Sequence, residues 1–255
     1  AVAAALACAH PLRVDLSLES VVPLARLLLC SFVFSLPTSP APTKRLKHAS
    51  IAQLLWPRLS SLPSTSARVQ ALNTALVLLA DHELATSTFA ARVAASTRAD
   101  PFAVVLAGLG ALAGPLHGKA ATTLHRLLLD AGREPNADLA AARAFSSATT
   151  ISGFGHPVYT DGDPRAKELL SVLEPALKPR TRTVIEAVAK VGVRKTGTQP
   201  NIDFALAALA YAFEMRPGAT EALFAIARSA GFIAHALEEY GEQPLRFRAR
   251  ALYTG

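Results

Sequence analysis

Residues 153–166 read GFGHPVYTDGDPRA and form the most irregular stretch of an otherwise helical sequence. The run contains three glycines and two prolines, residue types that interrupt helices and favour turns. We therefore predict an irregular loop here, between two helical regions. Because loops on a rigid scaffold often carry binding and catalytic side chains, this loop is the first candidate for a functional site.

Helical periodicity extends on both sides of this loop. A stripe formed by Val69, Leu72, Leu76 and Leu79 predicts a helix from residue 67. Asp100 followed by Pro101 is typical of a helix start. Alternating patterns typical of strands are weak and occur only near 149–154 and 247–253, so the predicted fold class is all-α. The other predicted helices are 49–60, 87–96, 101–112, 119–131, a short one within 132–152, 166–177, 181–191, 205–214 and 219–239.

The composition indicates a folded protein of one large domain, or of a large and a small one. The 255 residues are 51% hydrophobic and 18% charged, which excludes disordered and low-complexity classes. Two cysteines, Cys8 and Cys30, are too few for a disulfide framework. We therefore expect a reducing, cytoplasmic compartment.

The apolar run at 21–36 is the main candidate for a membrane segment. Arg26 interrupts it and it falls short of the roughly 20 residues that span a bilayer, so we predict a buried helix and no membrane association. The first residues, AVAAALACA, include neither an initiator Met nor a basic segment. We interpret them as an internal start that omits N-terminal parts of the natural product.

The net charge of +7 favours an anionic partner. The densest basic clusters, 44–48 and 246–250, have few aromatic residues between their charges. This pattern is weak for nucleic acid, so we predict no nucleic-acid partner and an anionic small-molecule pocket instead.

Three histidines and one aspartate are candidates for acid–base chemistry. His117 lies in GPLHG before a helix, His156 lies in the central loop, His82 follows an apolar helix, and Asp203 precedes another. The sequence contains no HExxH and no GxSxG motif, so neither a metal nor a serine nucleophile is predicted. Local sequence leaves two alternatives open: each histidine as a structural residue, and Asp203 as a helix cap.

Six segments resemble the citrate synthase family, in the family's order. The central loop resembles its G-[FY]-G-H-x-V-[YL]-x-x-x-D-P-R-A signature, and GPLHGKA (114–120) resembles its GPLHGGAN segment. PNIDFALA (200–207) resembles its PNVDF segment. The remaining three are ADHELATSTFAARVAAST (80–97), FAIARSAGFIAHALEE (224–239) and RARALYTG (248–255).

The resemblance implies an enzyme that condenses an acyl-CoA, usually acetyl-CoA, with oxaloacetate and then releases citrate and CoA, without a cofactor. It implies that Asp203 removes a proton from the thioester methyl group. His117 would then donate a hydrogen bond to the thioester oxygen, and His156 would polarise the ketone of oxaloacetate. The residues implied in carboxylate binding are His82, Arg165, Arg228 and Arg248.

Several positions depart from the family pattern. Ala85 stands where Asn is common, and Lys119 and Ala121 replace Gly and Asn beside His117. Thr160 and Asp161 stand where basic residues often meet CoA phosphates. These changes keep a second hypothesis open, in which the chain is a catalytically weak or inactive ligand sensor or regulatory protein. Propionyl-CoA stays open as an alternative to acetyl-CoA, because no single pocket residue in the sequence determines the length of the acyl chain.

The resemblance also implies an architecture. Residues 1–117 and 204–255 would form a large helical domain. A smaller helical domain, 118–203, would be inserted into it, with the active site in the cleft between the two. It further implies a homodimer in which Arg248 reaches the partner's pocket.

Overall fold

The computed structural model describes residues 1–38, 48–114, 117–118, 120–147 and 151–253. Within these ranges the regular structure is helical. The β pairing found there is limited to two isolated bridges, Ser60 with Met215 and Phe154 with Pro200. The predicted all-α class is confirmed.

Twelve α-helices occur in the described residues, with short 3-10 turns at Pro11–Val14 and Glu174–Ala176. The helices are α1 Val2–Ala9, α2 Leu18–Ser35, α3 Ile51–Leu59, α4 Ser66–Ala80, α5 Thr86–Ser96, α6 Pro101–Leu112, α7 Ala120–Arg133, α8 Ala137–Ser147, α9 Pro164–Leu173, α10 Pro179–Thr196, α11 Ile202–Ala212 and α12 Ala219–Tyr240.

The largest differences from the predicted helices have local causes. Helix α9 begins two residues early because the Asp163 side chain accepts the backbone N–H of Arg165 and caps the helix. Helix α10 continues to Thr196, where Gly197 adopts the left-handed conformation that ends many helices. The strand suggested by the pattern at 247–253 is absent, because these residues form no β pairing in the structure. In 149–154, the described part forms only the Phe154 bridge, and residues 149 and 150 lie outside the described residues.

The chain divides into two compact units. The first unit comprises residues 1–35, 80–114 and 225–255, and the second comprises 36–79 and 115–224. These boundaries do not coincide with the predicted domain limits at 117 and 203. The predicted domain assignment therefore stays a prediction.

Helix α2 belongs to the first unit and is buried on one side only. Val21, Leu24 and Leu28 join the apolar core that includes Phe102 of α6 and Phe232 of α12. The opposite side leaves Leu18, Leu27 and Phe34 exposed, so the predicted burial holds for one face of the helix only. Among the described residues, α2 is the one helix whose length and hydropathy would suffice to cross a membrane, a test that a core helix also passes.

Helix α11 lies at the centre of the second unit. It contacts α7 and α9, and its residues Phe204 to Ala210 are all buried. A helix that is apolar on every side is stable only when neighbours cover it. The first turn of this enclosed helix carries Asp203.

Gly231 in α12 gives a test of packing in the first unit. A Cβ at this position would overlap the carbonyl oxygen of Ala80, which belongs to the backbone and cannot move aside cheaply. We predict that Gly231→Ala lowers the free energy of unfolding by about 1–3 kcal/mol. The matched control is Gly110→Ala, an exposed helical site with open space around the new methyl group. This control should raise stability by about 0.5–1 kcal/mol. Urea unfolding of both variants measures the difference, and equal stabilities would contradict the clash.

Candidate active site

The central loop is fastened to the segment that precedes α11. Gly155 donates its backbone N–H to the carbonyl of Gln199 at 2.8 Å, and Asn201 donates to the carbonyl of Gly153 at 2.9 Å. The Asn201 side chain also donates to the carbonyl of Gly155 at 2.9 Å. Gly153 and Gly155 have φ of 87° and 72°, a region that favours glycine. The loop glycines therefore allow a close pairing of two irregular segments.

Asp163 connects this loop to two helices and was not among the predicted site residues. Its side chain is 0% exposed, and the carboxylate accepts hydrogen bonds from Nε and Nη2 of Arg165 at 2.9 and 2.8 Å. It also accepts the backbone N–H of Ile202 at 3.0 Å, at the start of α11. Burial raises the pKa of Asp163, but the hydrogen bonds and charge of Arg165 outweigh it and lower that pKa. The one sequence cue for this role is its position before a Pro-Arg helix start.

The environment of Asp203 raises its pKa, whereas that of Asp163 lowers it. Burial raises its pKa to about 6, although the nearby positive charge of Arg165 lowers it. Its Oδ1 is buried and accepts no hydrogen bond from the part of the chain that the structure describes. The helix-cap alternative is wrong, because Asn201 caps α11 by accepting the backbone N–H of Asp203. A carboxylate with a raised pKa and a buried oxygen that accepts no hydrogen bond from the described residues is suited to act as a base.

His156 is held in one tautomer. Its Nδ1 accepts the backbone N–H of Val158 at 3.1 Å, and its ring lies 5.0 Å from that of Tyr159. Burial, together with the charge of Arg165, lowers the pKa of His156. The imidazole is therefore neutral near pH 7, with its proton on Nε2, where it can act as a hydrogen-bond donor.

His117 belongs to the same unit and precedes α7. It is half-buried, and its ring meets the ring of Phe224 edge to face with centroids 6.1 Å apart. The structure thus gathers His156, Arg165 and Asp203 around the fastened loop. It places His117 in the same unit at the start of another helix.

The remaining predicted residues lie in the first unit. Arg228 is 1% exposed in α12, and His82 is half-buried between α4 and α5. Burial raises the pKa of Asp81, the neighbour of His82, but a 3.0 Å contact with His235 and the charge of Arg228 lower it overall. Arg248 is exposed beyond the end of α12.

The positions that depart from the family pattern fall in different environments. Ala85 precedes α5 as a half-buried cap residue without a side-chain hydrogen bond to the helix. Ala121 is buried in α7, whereas Thr160 and Asp161 are exposed. Lys119 lies outside the described residues. The changes thus affect a helix start, a core contact and the surface of the central loop.

Comparison with known proteins identifies the family. The family model of the citrate synthase C-terminal domain matches residues 20–250. The chain belongs to the citrate synthase family. Citrate synthase 2 of Bacillus subtilis is 34% identical over 222 residues, which cover 84% of this chain and 58% of the relative. The 2-methylcitrate synthase 1 of Corynebacterium glutamicum is 32% identical over 200 residues, 76% of this chain and 52% of the relative.

Solved structures give the same fold. The Thermoplasma acidophilum citrate synthase, in complex with carboxymethyl coenzyme A and oxaloacetate, matches with a TM-score of 0.79 and 27% identity over 99% of this chain and 71% of that one. Citryl-CoA lyase from Hydrogenobacter thermophilus matches with a TM-score of 0.72 and 27% identity over 82% of this chain and 85% of that one. The chain spans a little more than half the length of the curated relatives it matches.

The raised pKa of Asp203 predicts a pH-dependent stability difference. The folded state binds a proton on Asp203 more tightly than the unfolded state, in which the pKa is 3.8. Wild-type stability therefore falls as the pH rises from about 4 to about 6, where the carboxyl ionises in place. We predict that Asp203→Asn, which has the same shape without the charge, is more stable than the wild type at pH 7.5 by up to about 3 kcal/mol.

Thermal unfolding at pH 4 and at pH 7.5 measures this difference. Asp163→Asn is the contrasting control, because it removes a carboxylate that is stabilised by hydrogen bonds. It should destabilise the protein at pH 7.5. A gap between Asp203→Asn and the wild type that does not grow with pH would contradict the prediction.

Proposed function

We propose that the chain contains the catalytic part of a citrate synthase-type enzyme, which condenses an acyl-CoA with oxaloacetate to give citrate and CoA. The observation that carries the proposal is the Asp203 carboxylate, which has a buried Oδ1 and a pKa of about 6. It lies in the same unit as a neutral His156 whose Nε2 carries the proton, and the charge of Arg165 lowers the pKa of both groups. A base and a hydrogen-bond donor in one site are what a carbon–carbon condensation at neutral pH requires.

In the proposed mechanism, Asp203 removes a proton from the carbon next to the thioester carbonyl. His117 donates a proton through a hydrogen bond to the thioester oxygen, so that an enol forms. The enol carbon then bonds to the ketone carbon of oxaloacetate as the enol proton returns to His117, while His156 protonates the ketone oxygen through Nε2. Proton exchange with water restores Asp203 and His156. Water hydrolyses the resulting thioester, which releases citrate and free CoA.

The arginines supply carboxylate binding in this proposal. A guanidinium is always charged and binds a carboxylate through two parallel hydrogen bonds. Asp163 fixes the plane of Arg165 through two such bonds, which keeps Arg165 oriented before substrate arrives. Arg228, His82 and Arg248 are proposed to bind the other carboxylate oxygens of oxaloacetate.

Acetyl-CoA is the first choice of acyl donor, and propionyl-CoA is the alternative. The similarity to both a citrate synthase and a 2-methylcitrate synthase supports either donor. A second candidate function is the reverse carbon–carbon cleavage of citryl-CoA, which the match to a citryl-CoA lyase favours. The same acid–base residues serve both directions of such a reaction.

No cofactor or metal is proposed. Among the described residues no group of three or more His, Cys, Asp or Glu side chains could hold a metal ion. A cytoplasmic location, without a nucleic-acid or membrane partner, remains the expectation from the sequence.

We predict release of free CoA when oxaloacetate is mixed with acetyl-CoA or propionyl-CoA. Since Asp203 must be ionised, kcat/KM should fall about tenfold per pH unit below pH 6. Asp203→Asn should lower kcat by at least roughly 10²-fold while the fold is retained. A thiol assay on both proteins measures this. Formation of acetyl-CoA and oxaloacetate from citryl-CoA, without release of free CoA, would support the cleavage reaction. A thermal shift with oxaloacetate but no turnover would support the ligand sensor.

We also propose a homodimer in which Arg248 completes the partner's site. Mixing two inactive variants, Arg248→Ala and Asp203→Asn, tests this. A mixed dimer would contain one site with an intact Asp203 and an intact Arg248 from the other chain. Random exchange of subunits should therefore restore about a quarter of wild-type activity. No recovery after verified exchange would show that Arg248 acts within its own chain, and a monomer would contradict the dimer.

A further inference from the structure

The segment after α12 is held in place by Glu239, the penultimate residue of that helix. The Glu239 side chain is 0% exposed. It accepts Nε of Arg246 at 2.6 Å and Nη2 of Arg246 at 2.7 Å, a two-pronged ion pair. Arg92 of α5 donates to the same carboxylate through Nε at 3.0 Å. One buried carboxylate therefore binds one arginine from the core and one from the C-terminal segment.

Two further contacts hold the same segment. Leu245 donates its backbone N–H to the carbonyl of Ser96 at 2.9 Å, and Leu245 has a φ of 59°, a conformation that non-glycine residues rarely adopt. The ring of Phe247 meets the ring of Phe89 edge to face at 5.2 Å, and the Arg246 guanidinium lies 4.4 Å from the centre of Phe247. We call Leu245–Phe247 the strap. It is tied to both ends of α5 and to the end of α12.

The strap leads directly into Arg248. Because Arg248 is the next residue, the fixed strap limits the positions that its backbone can occupy. Nothing in the sequence pattern indicated that Arg246 differs from its neighbours Arg248 and Arg250, since all three belong to one basic cluster. All three are exposed, but their environments differ, because Arg246 is bound to a buried carboxylate and no such ion pair is found for Arg248 or Arg250 among the described residues.

We propose that Arg246 and Glu239 are positioning residues for Arg248, so that the strap presents this arginine to a carboxylate of oxaloacetate. The inference rests on the proposed function and deepens it. A flexible segment would have to be ordered each time substrate binds, which weakens binding. Arg246 is thus separated from the substrate by one residue and acts through Arg248.

The first test is independent of activity. We expect Arg246→Ala to expose the Leu245 amide to hydrogen exchange, since the hydrogen bond to Ser96 loses its neighbouring ion pair. The rest of the fold should be retained, because Arg92 still pairs with Glu239. Arg250→Ala is the matched control, an exposed arginine in the same segment, and should leave the exchange of Leu245 unchanged. If hydrogen exchange of the Leu245 amide were unchanged in Arg246→Ala, the proposal that the Arg246–Glu239 ion pair holds the strap in place would be overturned.

The second test is a double-mutant cycle on oxaloacetate binding. Arg246→Ala should raise the KM for oxaloacetate roughly three- to tenfold, with kcat and the KM for acyl-CoA little changed, and Arg246→Lys should recover part of the loss. In an Arg248→Ala background the same substitution should have no further effect. Additive effects would overturn the positioning role, because Arg246 would then act without Arg248. A wild-type protein that does not respond to oxaloacetate would instead overturn the proposed function itself.

Discussion

The candidate site depends on one buried carboxylate, that of Asp163. It accepts a hydrogen bond from the helix that it caps, two from Arg165, and one from Ile202 at the start of α11. Four donors on one carboxylate offset the cost of burying its charge. They also determine where the loop, α9 and α11 meet. A residue that cannot accept hydrogen bonds at this position would leave Arg165 without this ion pair and the backbone N–H of Ile202 without its acceptor.

The pKa values of Asp163 and Asp203 are thus shifted in opposite directions, because the two carboxylates differ in how many hydrogen bonds they accept. Asp163 is saturated with hydrogen bonds and stays ionised. Asp203 lies in the first turn of an apolar helix with its Oδ1 buried, and its pKa is raised to about 6. Arg165 interacts with both aspartates, since it donates hydrogen bonds to Asp163 and its positive charge lowers the pKa of Asp203. The separation of a structural carboxylate from a basic one is a common arrangement in acid–base sites.

Helical spacing predicted most of the fold because burial on one face imposes a period that the sequence must show. The helix over 101–112 and the long C-terminal helix were predictable for this reason. Exposure of one face of α2 was not predicted, because Arg26 is the one charged residue in the run and the long apolar sequence around it favoured burial of the whole helix. The helix-cap interpretation of Asp203 failed for a different reason. Asn201 and Asp203 are both good caps, and only the backbone geometry decides between them.

The family resemblance identified the residues proposed to touch substrate, but not the residues that orient them. Asp163 and Glu239 are both buried carboxylates that hold an arginine, one beside the central loop and one below the strap. Their roles depend on tertiary contacts between segments that are far apart in sequence, such as Asp163 with Ile202 and Glu239 with Arg92. In both cases the carboxylate binds two partners, so that it keeps a counter-charge or a hydrogen bond when one partner moves. Because each carboxylate has a second partner, it can orient its arginine although the fold does not depend on that arginine alone.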